Sequence, residues 1–380
     1  MASSSGGQIG IPKHTADPYK GPGVKFIILD DDELIYHTPL PLKEVLSLQE
    51  LLRASNCFVP SFVGADAYSV ATYITQYARY RTPTTFLFDR NLYSQVVTLA
   101  KGSRITPETC FAAAVMAFAS CAAAQIEPNL AIYEGSASGA HPAWRRDLAI
   151  FHGADDIHPG NWAALALGYS THFDRRIPGK RLRSEAFKDF DPNRKLRFYS
   201  FVYPIALKMA IISRAGGSPD KKMIKLLDWI YHYWYFSHPA ILLGTYALSR
   251  TPPKNVFKNV RSPNREKALA GAKNAAWDLV YITDWFEKIR VKAKTPELTV
   301  LCSRDRLLLK VAALLSSTVL GTPMSPFQHA LFGKSVLERY NLYASDLSNP
   351  IRELKPLPTE MDDYTAKVIE NLESEFLQPL

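Results

Sequence analysis

Two short apolar runs, each leading to an acidic residue, constrain the fold of this chain more than any other feature. Residues 84–88 (TTFLF) are rich in β-forming side chains and stop at Asp89, and residues 298–302 (LTVLC) are followed closely by Asp305. Runs of this length and composition are predicted to be buried strands. A helical pattern follows each run, and this alternation favours an α/β fold built on a mainly parallel sheet.

Helical patterns occupy most of the remaining chain. Thr106 and Pro107 form an N-cap followed by a proline at the first helical position, and Ser262 with Pro263 gives the same signal. Residues 24–29 are a further strand candidate. The predicted helices cover about 42–54, 68–80, 91–101, 107–126, 128–134, 195–213, 221–235, 263–290 and 306–318, with an acidic amphipathic helix at the end of the chain.

The order of these patterns divides the chain into five regions. The alternating pattern of strands and helices occurs in two stretches, and only helical patterns lie between them. We interpret the intervening stretch as a large helical insertion. The predicted regions are a flexible tail at 1–22, an N-terminal region with the first half of the core at 23–140, the insertion at 141–260, the second half of the core at 261–320, and a C-terminal extension at 321–380.

The composition indicates a folded protein with an anionic partner. Hydrophobic residues make up 47% of the 380 residues, enough for a large core. The formal charge is +9, which favours nucleic acid first and an anionic membrane surface second. A basic segment at 173–197 either contacts phosphates or is a solvated charged loop. Its candidate nucleic-acid contacts are Arg175, Arg176, Lys180, Arg181 and Arg183.

Several signals favour a soluble cytoplasmic protein without a membrane partner. The four cysteines form no CxxC or Cys/His pattern and are predicted to be reduced and mostly buried. The first residues are polar and lack the apolar region of a secretory signal. The most apolar stretch, 110–126, is shorter than a comfortable bilayer span, so we predict a packed helix there.

Four acidic residues are the candidates for chemistry. Asp89 and Asp305 follow predicted strands, and ligands bind beyond the carboxyl ends of the strands in open parallel sheets. Glu134 and Asp278 lie within apolar helical segments, where an unpaired carboxylate is costly. If the four carboxylates cluster, they require one or two hard cations such as Mg²⁺ or Mn²⁺. Such ions can activate a water molecule against a phosphodiester.

The segments that hold these acids resemble the four acidic motifs of PIN-domain nucleases. They are FLFDRN (86–91), AIYEG (131–135), AWDLVYI (276–282) and VLCSRD (300–305). The resemblance spans 82–140 and 262–320 and is interrupted by the helical insertion. It implies a three-layer α/β/α core with a central, mainly parallel sheet.

The same resemblance implies a function and roles for single residues. Asp89, Glu134, Asp278 and Asp305 would be catalytic metal ligands or would orient the hydrolytic water. Asn91 would support the first acid, and Ser303 would donate a hydrogen bond into the acidic centre. The implied activity is Mg²⁺- or Mn²⁺-dependent hydrolysis of phosphodiesters, with RNA as the expected substrate. An inhibitor protein or a second copy of the chain is a further expected partner.

Each acid also has a purely structural interpretation. Asp89 and Asp305 each precede a predicted helix, where aspartate is a favoured N-cap. Glu134 is close to a helix end and would then be exposed. Asp278 would pair with a lysine such as Lys273 or face solvent.

Two other functions remain open on the residues alone. A haloacid-dehalogenase-type phosphatase also begins with an aspartate after a strand, but it needs a second aspartate where this chain has Asn91. A catalytically inactive PIN-like module that binds nucleic acid or protein is the non-enzymatic alternative. Walker, dinucleotide-binding, GxSxG and HExxH motifs do not occur, so those chemistries lack support.

Three further patterns have a functional and a structural interpretation. The acidic cluster 30–33 is either a separate metal site or a charged turn. Asp155, Asp156 and His158 have the composition of a metal site but precede a loop signal at Pro159. The aromatic run 229–236 would stack on bases or pack in the core.

Overall fold

The computed structural model describes most of the chain. The described residues are 25–28, 34–62, 64–137, 143–182, 191–192, 196–254, 256–292, 297–319, 332–348 and 361–378. The acidic cluster 30–33 and Arg183 lie outside them.

Strands are short and form two separate sheets. They are β1 (Lys25–Ile28), β2 (Leu34–His37), β3 (Phe58–Pro60), β4 (Thr84–Phe88), β5 (Gln125–Glu127) and β6 (Leu298–Cys302).

Helices account for most of the described residues. They are α1 (Leu42–Ser55), α2 (Val70–Tyr80), α3 (Arg90–Ala100), α4 (Pro107–Cys121), α5 (Asn129–Ala137), α6 (Trp144–Asp155), α7 (Pro159–Ala166), α8 (Arg197–Arg214), α9 (Pro219–Tyr233), α10 (His238–Ala247), α11 (Arg265–Lys292), α12 (Arg306–Val319), α13 (Lys334–Ser348) and α14 (Met361–Leu377).

The larger sheet is mixed, with the order β3-β6-β4-β5. Strand β4 pairs in parallel with both β5 and β6, and β3 runs antiparallel to β6. Strands β1 and β2 form a separate antiparallel pair. The protein is therefore mostly helical with a small mixed sheet. The predicted strands at 84–88 and 298–302 are confirmed. The three-layer PIN-like core with a mainly parallel central sheet stays a prediction.

The chain forms two compact units. The first comprises Met1–Arg194 and Val291–Leu309, and the second comprises Lys195–Arg290 and Lys310–Leu380. Helices α6 and α7 were not predicted individually and lie in the stretch 141–260 that we interpreted as an insertion. They belong to the first unit, where α6 contacts α3 and α7 contacts α4. Burial of Phe151 and Trp162 explains this packing, because both aromatic side chains are removed from water there.

An aromatic cluster fixes one face of β4 in the first unit. The ring of Phe86 lies 6.1 Å from Phe118 of α4 and 5.6 Å from Tyr73 of α2. Phe88 points to the same face, two residues on, and contacts Phe151 of α6 at 6.1 Å. These contacts pack one face of β4 against the helices α2, α4 and α6.

Helix α4 is a central helix of the first unit. Thr106 and Thr109 form a reciprocal capping box at its start, which confirms the predicted N-cap. Its side chains from Phe111 to Ala119 are all buried. Among the described residues, no helix combines the length and the apolarity that crossing a bilayer requires. The thiols of Cys57, Cys121 and Cys302 are buried and unpaired, and Cys110 is half-buried, as predicted.

The second unit is a helical assembly. Helix α8 contacts α9, α10 and α14, and α9 contacts α13. The aromatic run 229–236 takes part in this packing. Trp234 stacks at 5.9 Å on Tyr364 of α14, and Tyr231 stacks at 3.9 Å on Tyr343 of α13. The core interpretation of that run therefore holds for these side chains.

Some element boundaries differ from the prediction. Strands β3 and β5 are only three residues long, too short for a periodic signal, and were not predicted. Helix α13 was also not predicted and lies in the region that we interpreted as a C-terminal extension. Helix α11 begins at Arg265 because Asn264, and not Ser262, accepts the N–H of Lys267.

Candidate acidic site at the carboxyl ends of two strands

The register of the sheet brings the first and last acidic segments together. Phe88 pairs with Cys302, so Asp89 and Ser303 follow neighbouring parallel strands at the same edge of the sheet. The N–H of Asp89 donates to the carbonyl oxygen of Cys302 at 3.3 Å. The N–H of Ser303 donates to the carbonyl oxygen of Cys57 at 3.1 Å. The backbone at this edge is thus fixed by three segments distant in sequence.

Ser303 links the two aspartates. Its fully buried hydroxyl donates to Oδ2 of Asp89 at 2.5 Å. The hydroxyl oxygen of Ser303 also accepts the backbone N–H of Asp305 at 2.9 Å. Ser303 therefore positions both acidic residues with a single hydroxyl group.

Both aspartates also cap helices. Oδ1 of Asp89 accepts the N–H of Leu92 at 2.7 Å, at the start of α3. Oδ1 of Asp305 accepts the N–H groups of Leu307 and Leu308, at 2.8 and 3.1 Å, at the start of α12. The prediction that both aspartates are helix N-caps is therefore confirmed. It does not exclude a ligand, because a carboxylate offers about four acceptor positions.

Asp89 is in an environment that disfavours its own negative charge. Burial raises its pKa to about 6, against the lowering effect of the hydrogen bonds from Ser303 and Leu92. The nearby charge of Asp305 raises the pKa further. A cation bound between these groups would favour the charged form. The donor set, two carboxylates at one sheet edge, fits a hard divalent cation.

Glu134 forms an ion pair with Arg90, which lies at the same edge of the sheet. It sits on α5 with a mostly buried side chain, and Oε1 is 3.9 Å from Nη1 of Arg90. Arg90 directly follows Asp89 in the chain. Glu134 is therefore held close to the start of α3.

The other members of the predicted site are placed differently. Asp278 is half-buried on α11 and belongs to the second unit. Asn91 is exposed, and its backbone N–H, rather than its side chain, acts on the Asp89 carboxylate. Among the described residues, no group of three or more His, Cys, Asp or Glu side chains is arranged to hold a metal ion. The four-carboxylate centre stays a prediction.

Sequence reasoning missed two arginines beside the acids. Arg90 pairs with Glu134, and the exposed Arg304 lies between Ser303 and Asp305. The Arg304 guanidinium donates to the carbonyl oxygen of Glu108 at 3.4 Å. The adjacent pairs Asp-Arg and Arg-Asp were the available signal, since each places a cation next to a predicted metal ligand.

The described part of the basic segment lies at the other end of α3. Ile177 donates its N–H to the carbonyl oxygen of Ala100, the last residue of that helix. Arg175, Arg176, Lys180 and Arg181 are exposed. An 11-residue helix is about 16 Å long, so α3 separates these cations from Asp89 by roughly that distance.

Two residues of the possible metal group at 155–158 have partners within the fold. The carboxylate of Asp156 pairs with Lys180 at 2.7 Å. Nδ1 of His158 accepts the N–H of Gly160 and so caps α7. Asp156 and His158 are thus engaged in fold contacts.

Comparisons with known proteins add no relative. No protein-family model matches the chain, and neither the curated proteins nor the solved structures contain a match. The fold and the site therefore define only a class, a mostly helical protein with a small mixed sheet and an acidic pair at the carboxyl ends of two parallel strands.

Proposed function

We propose that this protein is a PIN-like metal-dependent nuclease that hydrolyses phosphodiester bonds in RNA. One observation carries the proposal. At the carboxyl ends of two neighbouring parallel strands, the buried hydroxyl of Ser303 donates to the carboxylate of Asp89 and accepts the backbone N–H of Asp305. Ligands bind at this position in open sheets.

The two aspartates are the proposed ligands of the cation. Oδ1 of Asp305 accepts both of its hydrogen bonds from α12, and no described residue bonds Oδ2. Asp89 supplies a carboxylate whose charge is disfavoured until a cation binds. A bound Mg²⁺ or Mn²⁺ would activate a water molecule and neutralise the leaving oxygen. Arg90 and Arg304 would place positive charge against the substrate phosphate.

A basic surface supports an RNA substrate. The exposed cations of the segment 175–181 lie roughly 16 Å from Asp89, at the far end of α3. Phosphates a few nucleotides from the cleaved bond would contact them. The net charge of +9 favours a polyanion of this kind.

A cleavage assay tests the proposal. Single-turnover cleavage of a labelled single-stranded RNA would be measured in Mn²⁺ for the wild type, Asp89→Asn and Asp305→Asn. Asparagine caps helices about as well as aspartate, so both variants keep their helix starts and lose a negative charge. In Asp89→Asn the amide nitrogen donates to the Ser303 hydroxyl, which donates to Oδ2 in the wild type. We expect cleavage to fall roughly 100-fold or more in each variant.

Asp66→Asn is the matched control for that assay. Asp66 lies in the same unit and forms an exposed ion pair with Arg53 at 2.6 Å. Its substitution removes the same charge away from the acidic site, so we expect cleavage at the wild-type rate. Equal rates in all four proteins would reject the nuclease proposal.

A catalytically inactive binding module is the second candidate. The capping bonds of Asp89 and Asp305 favour it, because each gives an aspartate a structural role that needs no metal. On this alternative, Mn²⁺ would bind without any cleavage of RNA or DNA, and the Asn variants would bind RNA as the wild type does.

A further inference from the structure

The last helix of the second unit is strongly acidic. Helix α14 carries five acidic residues and a single lysine, although the chain as a whole is basic. The acidic residues are Asp362, Asp363, Glu370, Glu373 and Glu375. A helix of this charge is an unusual covering for a surface unless that surface is positive.

Two lysines on the neighbouring helices contact these acids. Nζ of Lys208, on α8, lies 3.1 Å from Oε2 of Glu375. Nζ of Lys273, on α11, lies 3.7 Å from Oε1 of Glu373. Two carboxylates of α14 are therefore the counter-ions of these two lysines.

Two arginines converge on the end of the same helix. The guanidinium groups of Arg214 on α8 and Arg265 on α11 both donate to the carbonyl oxygen of Phe376, at 2.6 and 2.7 Å. Both also lie 4.8 Å from the centre of the Phe376 ring. The Nε atoms of both arginines are buried and have no partner among the described residues. Helices α8 and α11 thus present four cations to α14.

Aromatic side chains lie among these cations. The hydroxyl of Tyr203 donates to Oε1 of Glu373 at 2.5 Å. The ring of Tyr199 lies 5.2 Å from Tyr203 and 4.9 Å from Trp277 of α11. Cations that follow a phosphate backbone and aromatic rings that stack on bases are the two components of single-strand binding surfaces.

A shallow groove lies on the surface of α14. It has a volume of about 630 Å³, and its described lining residues all belong to α14 or follow it directly, among them Ile369, Glu373 and Leu377. Leu372 and Phe376 are the buried apolar anchors of the helix. Glu373 thus borders the groove and holds Tyr203 and Lys273 at the same time.

We propose that the surface of α8 and α11 under α14 binds single-stranded nucleic acid, and that α14 is an acidic cover that competes for it. Lys208, Lys273, Arg214 and Arg265 would contact phosphates, and Tyr199, Tyr203 and Trp277 would stack on bases. This site lies within the second unit and does not depend on the nuclease proposal.

Removing negative charge from α14 tests whether this helix competes with nucleic acid for the surface of α8 and α11. Binding of a fluorescent 12-nucleotide oligouridine to the full chain would be measured by anisotropy, with a chelator present so that no cleavage occurs. Glu373→Gln/Glu375→Gln removes two carboxylates that contact the lysines. We expect this double variant to bind roughly three- to tenfold more tightly than the wild type, since two ion pairs of the cover are lost.

Asp363→Asn/Glu370→Gln is the matched control. It removes the same net charge from α14, but neither carboxylate contacts these cations among the described residues. We expect its affinity to stay within twofold of the wild type. An equal gain in both double variants would reject the cover, because bulk charge alone would then explain the result.

Two further measurements test the lysines as contacts of the nucleic acid and the displacement of α14 by it. Lys208→Ala/Lys273→Ala should weaken binding at least tenfold. It should also reduce the slope of log affinity against log salt concentration by about two, one for each lost phosphate contact. Amide exchange in α14 should become faster when oligouridine saturates the wild type. The proposal fails if exchange is unchanged, or if vesicles containing phosphatidylserine bind this surface and the oligonucleotide does not.

Discussion

Asp89 shows how one residue serves the fold and a proposed site together. Its two carboxylate oxygens accept hydrogen bonds from Leu92 and from Ser303. The sequence predicted its position after a strand, and it also predicted helix capping as the alternative. The resemblance to PIN-domain nucleases implied a hydrogen bond from Ser303 into the acidic centre, but it did not imply that the same hydroxyl group also accepts the backbone N–H of Asp305.

The raised pKa of Asp89 makes stability depend on pH. Between the ordinary value of 3.8 and about 6, the folded carboxyl keeps a proton that the unfolded one releases. Because the folded state binds more protons in this range, the free energy of unfolding falls as the pH rises through it and levels off above about 6. The total loss is about 3 kcal/mol, at roughly 1.4 kcal/mol per pH unit.

Urea denaturation of metal-free protein between pH 4 and pH 7 measures this effect. Asp89→Asn cannot ionise but still caps α3, so the stability of the wild type relative to this variant should decline with rising pH. Parallel curves for the two proteins would show that burial does not shift the Asp89 pKa.

At the scale of elements, the sequence was reliable where an apolar run ended abruptly. Strands β4 and β6 were predicted with correct limits because a polar residue follows each β-forming run. Strands β3 and β5 are formed by pairing with β6 and β4, respectively. Each is only three residues long, too short to show a periodic sequence pattern. Tertiary pairing, rather than local preference, decides such strands.

The contact between α6 and the basic segment gives a prediction at this scale. A Cβ atom added to Gly153 of α6 would lie 2.2 Å from the carbonyl oxygen of Pro178. Alanine normally improves a helix over glycine by about 1 kcal/mol, but this clash costs roughly 1–3 kcal/mol. We therefore expect Gly153→Ala to lower the free energy of unfolding and to weaken RNA binding by displacing the segment.

The control for that substitution is Gly216→Ala. Nothing lies within 4 Å of a Cβ atom at Gly216, so we expect near-neutral stability and unchanged RNA affinity. Denaturation and anisotropy measurements on both variants check the pair. An increase in stability for Gly153→Ala would mean that the segment does not pack against α6 in this way.

At the scale of the whole molecule, the sequence predicted a mixed α/β protein. It did not predict how the helices are divided between the two compact units of the structure. The stretch 141–260 looked like one helical insertion because it lacks strand patterns. The structure assigns α6 and α7 to the first unit and α11 up to Arg290 to the second. Helical periodicity shows that a helix has a buried face, but it does not show which neighbour covers that face. For the same reason, the order of the four acidic motifs did not establish which acids meet.

We propose that Asp89 and Asp305 together bind a divalent cation. The most direct measurement is the anomalous density of a crystal of the full chain soaked in Mn²⁺. We expect a peak about 2.0–2.6 Å from a carboxylate oxygen of each of these two residues. A well-ordered crystal with millimolar Mn²⁺ and no peak at either residue would contradict the account.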